Sequence, residues 1–414
     1  MYSRIMDGMS AVPVPRPEYV AALGRFRDTS GLIKAVVGVR RCGKSTLLDL
    51  YRARLLHDRV AAASILSLDF ESLDTVAIDS AQALHDHVTG HAFPDGRRYV
   101  FLDEVHLVPG WERAVNSLRL DDRFDIYVTG SNSRLLSSEL AVLLSGRYVT
   151  IEVFPLSFAE YRRFRDADSV PPGVLLNDYL AGGGLPGQFD LVADARARAQ
   201  YLDGVLNTVI TKDIAMARQV RDVDALLKIV RYLAMNIGNL ISPKGISDYF
   251  VSAGRRISPD TVDAYLTLLE QAYLFYRARR EDLSSKEVMK TLDKFYLVDL
   301  GFRQVVSGLG PSDVGRLCEN VVYLELRRRF QRVSVGKYGA AEVDFVAFDP
   351  TRGCEYFQVT QTMADEATRE RELGPLRAIR DAYPKTVLSL DQVRTSDYNG
   401  IRHEYLPDWL AAGG

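Results

Sequence analysis

Apolar runs of strand length mark the first part of the chain, at residues 32–37, 64–70, 99–102, 124–129 and 148–153. A helical pattern opens at residues 46–50, after the first run, and another is expected from Arg134, after the fourth. Strands alternating with helices predict a parallel sheet with crossover helices. Beyond residue 155 helical stretches dominate, interrupted by the glycine-rich segment 181–187, which reads as a connector because it is too flexible for a helix interior. Residues 225–240 have helical periodicity, and a short helix starts at 241–244 and runs to about 252. Ser258-Pro259-Asp260 then supplies an N-cap, a first-turn proline and a first-turn acid for the helix carrying Leu266, Leu269 and Glu270. Residues 273–280 alternate like a strand, with a return strand from 295–297. Helix, turn, helix, hairpin is the winged-helix plan. A helix at 315–326 and strands at 333–337, 342–347 and 355–360 complete the pattern.

The length, 414 residues, accommodates two to four domains. A hydrophobic content of 47% and a charged content of 26% fit an ordinary globular chain with a sizeable core. The net charge of −2 gives no global field for nucleic acid, so any such binding must come from a local patch. Cys42, Cys318 and Cys354 lie far apart, with neither metal-ligand spacing nor an even disulfide set, so a reducing cytoplasm is the expected location. The N-terminus carries Arg4, Asp7 and Pro13 and lacks a signal-peptide core, and no run approaches membrane-span length.

The first apolar run leads into Gly38-Val39-Arg40-Arg41-Cys42-Gly43-Lys44-Ser45, which fits the phosphate-binding loop G-x-x-x-x-G-K-[ST] in its required strand–turn–helix context. Gly38 and Gly43 free the backbone to bend, and the loop amides and helix N-terminus point at anionic oxygens. The candidate nucleotide-binding residues are therefore Gly38, Arg40, Arg41, Cys42, Gly43, Lys44, Ser45 and Thr46, with Lys44 on the β- and γ-phosphates and Ser45 on Mg2+. Residues 99–104 end in two carboxylates at a strand's carboxyl end. Asp103 is expected on Mg2+ and Glu104 as the base that orients and deprotonates the attacking water. Ser131, after the 124–129 run, is a candidate γ-phosphate sensor, and a Ser-rich turn capping the next helix is the alternative. Arg147 could contact a phosphate in its own subunit or a neighbour's, or be a plain surface arginine beside a strand.

Together with the segments 128–131, 145–147 and 154–158, these motifs resemble a prokaryotic AAA-plus ATPase group. Its members carry an uncharacterised C-terminal domain related to restriction-endonuclease folds. The resemblance implies ATP hydrolysis with Mg2+, ring-like or transient homo-oligomers with a hexameric ring among them, a role on DNA, and an arginine-finger role for Arg147. The expected fold is α/β. It comprises an N-terminal leader at 1–30, a P-loop AAA-plus ATPase core at 31–154 and a helical lid or connector at 155–225. A winged-helix module follows at 226–294, and a restriction-endonuclease-like α/β domain at 295–414.

Arg255, Arg256, Arg277, Arg279, Arg280, Lys286, Lys290 and Lys294 lie around the winged-helix segment and suggest phosphate-backbone contact. Its recognition helix carries Thr261, Asp263, Tyr265 and Thr267 and no Arg or Lys, which favours sequence-independent or structure-selective DNA binding. In the C-terminal domain Glu319, Asp344 and Gln358 match the helix Glu, strand Asp and strand Glu/Gln of the PD-(D/E)xK pattern. The lysine position holds Thr360, and Gln358 brings no charge to a cation. A degenerate nuclease fold kept for DNA binding or assembly is the expectation, with Glu319 and Asp344 paired to Arg316 or Lys337 as the plain alternative. A Mg2+-dependent ATPase coupled to DNA leads the functional readings. A nucleotide-switched protein-binding scaffold and an ATP-gated nuclease are the rivals.

Overall fold

The computed structural model describes residues 14–130, 146–167, 169–191, 194–285, 287–288, 292–307, 314–339, 341–392 and 396–413. The chain divides into two compact units, Met1–Phe154 and Pro155–Gly414.

The first unit contains α1 (Pro17–Gly24), β1 (Ile33–Val37), α2 (Lys44–His57), β2 (Ile65–Asp69), α3 (Ala81–Gly90), β3 (Arg98–Asp103), α4 (Trp111–Leu118), β4 (Phe124–Gly130) and β5 (Tyr148–Glu152). The five strands form one sheet in the order β2-β3-β4-β1-β5, and every pairing is parallel. This is the mixed α/β core with a parallel sheet that the strand–helix alternation predicts. β1 and β4 lie in the interior of the sheet and are buried along their whole length, as the helix-covered strands of a parallel sheet must be. The one charge inside β1, Lys34, is fully buried and ion-paired with Asp125 of β4. Asp125 also accepts from the Tyr127 hydroxyl at 2.9 Å and the Asp28 amide at 2.9 Å. A buried carboxylate thus has its lone pairs filled, which is the condition for a charge in a core strand.

The second unit runs α5 (Phe158–Phe164), α6 (Pro172–Gly182), α7 (Ala195–Thr208), a π-helical turn (Val209–Met216) and α8 (Val223–Met235). Next come β6 (Leu240–Ile241), α9 (Pro243–Ser252), α10 (Pro259–Gln271), β7 (Phe275–Ala278), β8 (Arg280–Asp282), β9 (Glu287–Val288) and β10 (Asp293–Leu297). It continues with α11 (Leu300–Ser307), α12 (Val314–Arg329), β11 (Arg332–Tyr338), β12 (Ala341–Asp349) and β13 (Gly353–Val359). It closes with α13 (Glu366–Ala378), β14 (Lys385–Ser389), β15 (Ser396–Asp397), β16 (Ile401–Tyr405) and α14 (Leu406–Ala411). A small antiparallel sheet has the order β6-β10-β7, and an eight-stranded mixed sheet the order β15-β16-β14-β13-β12-β11-β8-β9. The Pro-led helices α9 and α10 start where their serines dictate. Ser242 caps α9 by accepting from the Gly245 amide, and Ser258 caps α10 by accepting from the Thr261 amide.

Three sequence expectations change here. The strand expected over 273–280 is two strands. β7 pairs with β10, whereas β8 leaves for the other sheet and pairs parallel with β11. The helix expected over 225–240 stops at Met235, because Gly238 at φ +73 turns the chain so that Leu240–Ile241 can pair with β10. The domain division expected at 294/295 falls inside β10, whose Asp293–Leu297 form one unbroken ladder with β6 and β7.

The glycine-rich connector is held rather than loose. Asp299, buried, accepts from the Gly184 amide at 2.6 Å and the Gly301 amide at 2.8 Å. Burial pushes its carboxyl up to about 7. Gly183 sits at φ +74, and a Cβ there would overlap Asp299 Oδ1. Gly183→Ala is therefore expected to destabilise the protein by about 3 kcal/mol, the sum of left-handed strain and overpacking. Gly204, inside α7 with open space where a Cβ would go, is the control. Gly204→Ala should be stabilising by about 0.5–1 kcal/mol. Chemical denaturation of both variants measures the two signs, and an unchanged midpoint in Gly183→Ala would contradict the locked-loop account.

Candidate functional site

Because all strands of the first sheet run the same way, the carboxyl ends of β1 and β3 open on one edge, where α/β ligands sit. Residues 38–43 leave β1 there in a conformation that the glycines make possible. Gly38 has φ +145, and a Cβ on it would overlap the Val153 carbonyl oxygen. Gly43 has φ +98 and Arg41 φ +65. Gly43 immediately precedes α2, and no side chain caps that helix. Its first amides are left for an external anion.

Lys44, 4% exposed, donates from Nζ to the Gly38 carbonyl at 3.1 Å and the Val39 carbonyl at 3.3 Å, and lies 3.9 Å from Glu104 Oε1. The ammonium is thus poised inside the loop curve by weak, replaceable acceptors. Ser45 is exposed and Thr46 half-buried on the first turn of α2. Arg40 is 3.3 Å from Glu71, and Arg41 is exposed. Cys42 is buried, and burial pushes its thiol up, so its side chain is a packing group and only its backbone faces the loop's task.

Asp103 closes β3, and Glu104 follows it with φ +50. The Glu104 amide donates to Thr129 Oγ1 at 2.8 Å, and that hydroxyl donates to Asp103 Oδ1. Thr129, buried in β4, therefore fixes the aim of both carboxylates. Burial raises the Glu104 carboxyl above its ordinary range, Asp103 adds to the rise, and Lys44 opposes it. Glu104 Oε2 is buried without a hydrogen-bond partner, with His106 Nδ1 3.2 Å away. A buried carboxylate 3.9 Å from a buried ammonium, at the mouth of the glycine loop, has the chemistry to face a water and an anionic phosphate, and so the residues suit a nucleotide. The hydroxyl of Ser45 and the half-buried carboxylate of Asp103 form an oxygen donor set that suits a hard cation.

Residues that the motifs did not reveal also belong to this edge. Asp49 on α2 has its carboxyl pushed up by burial, with Asp103 and Asp69 contributing. Arg16, 5% exposed, donates to the Cys42 carbonyl at 3.1 Å and the Phe154 carbonyl at 3.0 Å, and stacks on Tyr19 at 4.3 Å. The leader segment thus braces the phosphate loop against the end of β5. Nothing in the local sequence marks Arg16 apart from its position before Pro17-Glu18. Thr129 was readable only as the last residue of an apolar run.

Of the expected residues, one lies outside the described residues and one stands away from this edge. Ser131 lies outside the described residues. Arg147 is exposed and precedes β5, and its carbonyl accepts from the Ile33 amide at the start of β1. It therefore sits at the amino edge of the sheet, about 16 Å of strand from the phosphate loop of its own chain. The register of β5 against β1 thus sets Arg147 apart from the phosphate loop of its own chain. Arg147 instead neighbours Arg119, whose guanidinium is lowered by burial and by that second cation.

In the second unit, Glu319 of α12 and Asp344 of β12 converge, but the cation between them is Lys294 of β10 rather than Arg316 or Lys337. Gln358 turns its amide to other work. It accepts from the Asp344 amide at 3.2 Å and donates to Glu372 Oε2 at 2.9 Å. Thr360, at the lysine position of the pattern, donates to the Thr362 carbonyl at 3.3 Å.

Arg16→Ala should leave two buried carbonyls unpaired, lower stability by about 2–4 kcal/mol and weaken binding of an ATP analogue. Arg16→Lys, a point donor, should restore only part of both. Unfolding curves and equilibrium titration measure the two effects, and unaltered nucleotide affinity in Arg16→Ala would remove the brace from the account.

Residues 30–162 match the model of an AAA domain, and residues 174–313 match a domain of unknown function. An uncharacterised protein of Haemophilus influenzae is 36% identical over 406 residues, covering 97% of this chain and 100% of its own length. An uncharacterised protein of Methanocaldococcus jannaschii, MJ1544, is 28% identical, covering 87% of this chain and 80% of its own. Among solved structures, the Walker-type ATPase of Pyrococcus abyssi gives a TM-score of 0.49 at 16% identity, over 71% of this chain and 96% of that one. The phosphate loop, the paired carboxylates and the end-to-end match to the Haemophilus protein place this chain in an AAA-type P-loop ATPase family.

Proposed function

We propose that the protein is a Mg2+-dependent ATP hydrolase that works as a homo-oligomer and couples turnover to DNA. The observation that carries the hydrolase reading is Glu104, a buried carboxylate whose Oε1 lies 3.9 Å from the Lys44 ammonium of the phosphate loop. Lys44 and the uncapped start of α2 bind the phosphates, and Ser45 and Asp103 hold the metal. Mg2+ supplies charge neutralisation on the phosphate oxygens. Glu104 orients the attacking water and takes its proton, and Thr129 holds Glu104 and Asp103 in place for that transfer.

A base whose carboxyl is raised by burial acts only when deprotonated. Turnover should therefore rise with pH through an acid limb lying above the ordinary carboxylate range, near 4.3. The pH profile of kcat measures this, and a limb at or below the ordinary value would contradict a buried base. Lys44→Ala should abolish binding of an ATP analogue while leaving the folded protein intact, read by titration and circular dichroism.

The oligomer reading rests on Arg147. Arg147 and Arg119 are neighbouring cations, and no carboxylate pairs with Arg147 among the described residues. Two guanidiniums at the edge opposite the phosphate loop suit the nucleotide of an adjoining subunit. Mixing Arg147→Ala with Lys44→Ala should restore part of the turnover that each lacks alone, because one interface in the mixture is then complete. No recovery, or full activity of Arg147→Ala alone, contradicts a role in trans.

The DNA reading rests on element order and on a few charges. Helix, strand, two helices and a hairpin over α8 to β10 support a winged helix, and the run from α12 to β14 supports a nuclease-like fold after it. Of the cations that suggested a basic face, Arg255, Arg277, Arg280 and Lys294 are engaged by carboxylates. Arg256 and Arg279 are exposed, and Lys286 and Lys290 lie outside the described residues. With two phosphate contacts, the affinity for duplex DNA should fall with salt at a logarithmic slope of about −2. The same engaged cations favour the second reading, a nucleotide-switched scaffold, together with exposed Met235, Leu240, Tyr249 and Val251 in the same region. ATPase rates across single-stranded, duplex, forked and four-way DNA separate the two, since stimulation supports DNA coupling and a flat response supports the scaffold.

A further inference from the structure

The buried cluster of the second unit has a cation built in. Lys294 Nζ lies 2.9 Å from Glu319 Oε1, 2.9 Å from Glu342 Oε1 and 3.6 Å from Asp344 Oδ1. Its side chain is 5% exposed. An ammonium has three N–H donors, and three carboxylates from α12 and β12 surround it. The remaining neighbours complete a cage. The Tyr296 hydroxyl donates to Glu319 Oε1 at 2.6 Å, the Val359 amide donates to Asp344 Oδ2 at 2.9 Å, and Arg280 stands 3.9 Å from Glu342 Oε2. On another side the backbone comes close, since a Cβ on Gly238 would stand 3.0 Å from Glu319 Oε2. The Glu342 side chain is 31% exposed, which leaves a path to solvent.

Three carboxylates converging on one point repel each other unless a cation stands between them. Hard divalent cations take such oxygen sets at 2.0–2.6 Å. Here the separations are those of N–H donors, and a tethered ammonium supplies the charge. We propose that Lys294 is the resident cation of a pocket formed by Glu319, Glu342 and Asp344, and that this pocket takes a divalent metal only when the ammonium is removed. The three carboxylates are then compensated from within the chain, and the native protein takes up no divalent cation there. The inference depends on the cluster alone and stands or falls separately from the ATPase reading.

The test uses the full chain without nucleotide, with Mn2+ as the probe read by electron paramagnetic resonance. Lys294→Met keeps the stem and removes the charge. It should gain one Mn2+ site at least about tenfold tighter than any the wild type has in this unit, and adding Asp344→Asn should abolish it. In the wild type, Asp344→Asn should leave Mn2+ uptake unchanged. A wild-type site lost on Asp344→Asn, or a Lys294→Met protein with no gained site, overturns the proposal. Should Lys294→Met be unfolded alone, millimolar Mn2+ or Mg2+ is expected to restore its thermal transition, and failure of both ions to do so equally overturns it.

Discussion

The close approach of β1 and β5 constrains the catalytic edge more than any other feature. Val153 continues the ladder by donating its amide to the Val37 carbonyl at 2.8 Å, and its own carbonyl then fills the space where a side chain on Gly38 would go. The chain leaving β1 can pass only as glycine, and it must curl into the loop that Lys44 closes. From that one crowding follow the direction of α2, the open amides at its start and the placement of Lys44 against Glu104. Arg16 ties the same two places together from outside, by way of the Cys42 and Phe154 carbonyls.

Three lysines are buried among the described residues, and their partners separate their roles. Lys34 is matched by Asp125 inside the sheet, and burial lowers it while Asp125 opposes that shift. Such a pair costs desolvation and returns it as attraction, so its role is to hold β1 and β4 together. Lys294 is matched by three carboxylates, which hold it charged against burial. Lys44 alone has neutral carbonyls as its nearest acceptors and a carboxylate at 3.9 Å. Its charge is the least compensated of the three, and it stands where the uncapped helix also attracts an anion.

The sheet was legible because each strand is a short apolar run, and the phosphate loop because its glycines mark positions where a side chain cannot fit. Asp103 and Glu104 were legible as carboxylates ending a buried strand. What was hidden depends on contacts distant in sequence. Lys294 reads as one more surface cation beside a hairpin until α12 and β12 enclose it. The segment around Gly183 reads as flexible because nothing near it names Asp299, more than a hundred residues on. Arg147 was visible as a candidate, but only the register of β5 against β1 assigns it to the far edge.

The central claim is that Glu104 is the base of a hydrolytic centre at the phosphate loop. Single-turnover hydrolysis of ATP by Glu104→Gln, followed by recovery of the bound nucleotide, measures it most directly. The expected result is tight binding with ATP recovered uncleaved and turnover down by at least about a hundredfold. Hydrolysis at the wild-type rate in Glu104→Gln would contradict the account and move the base elsewhere.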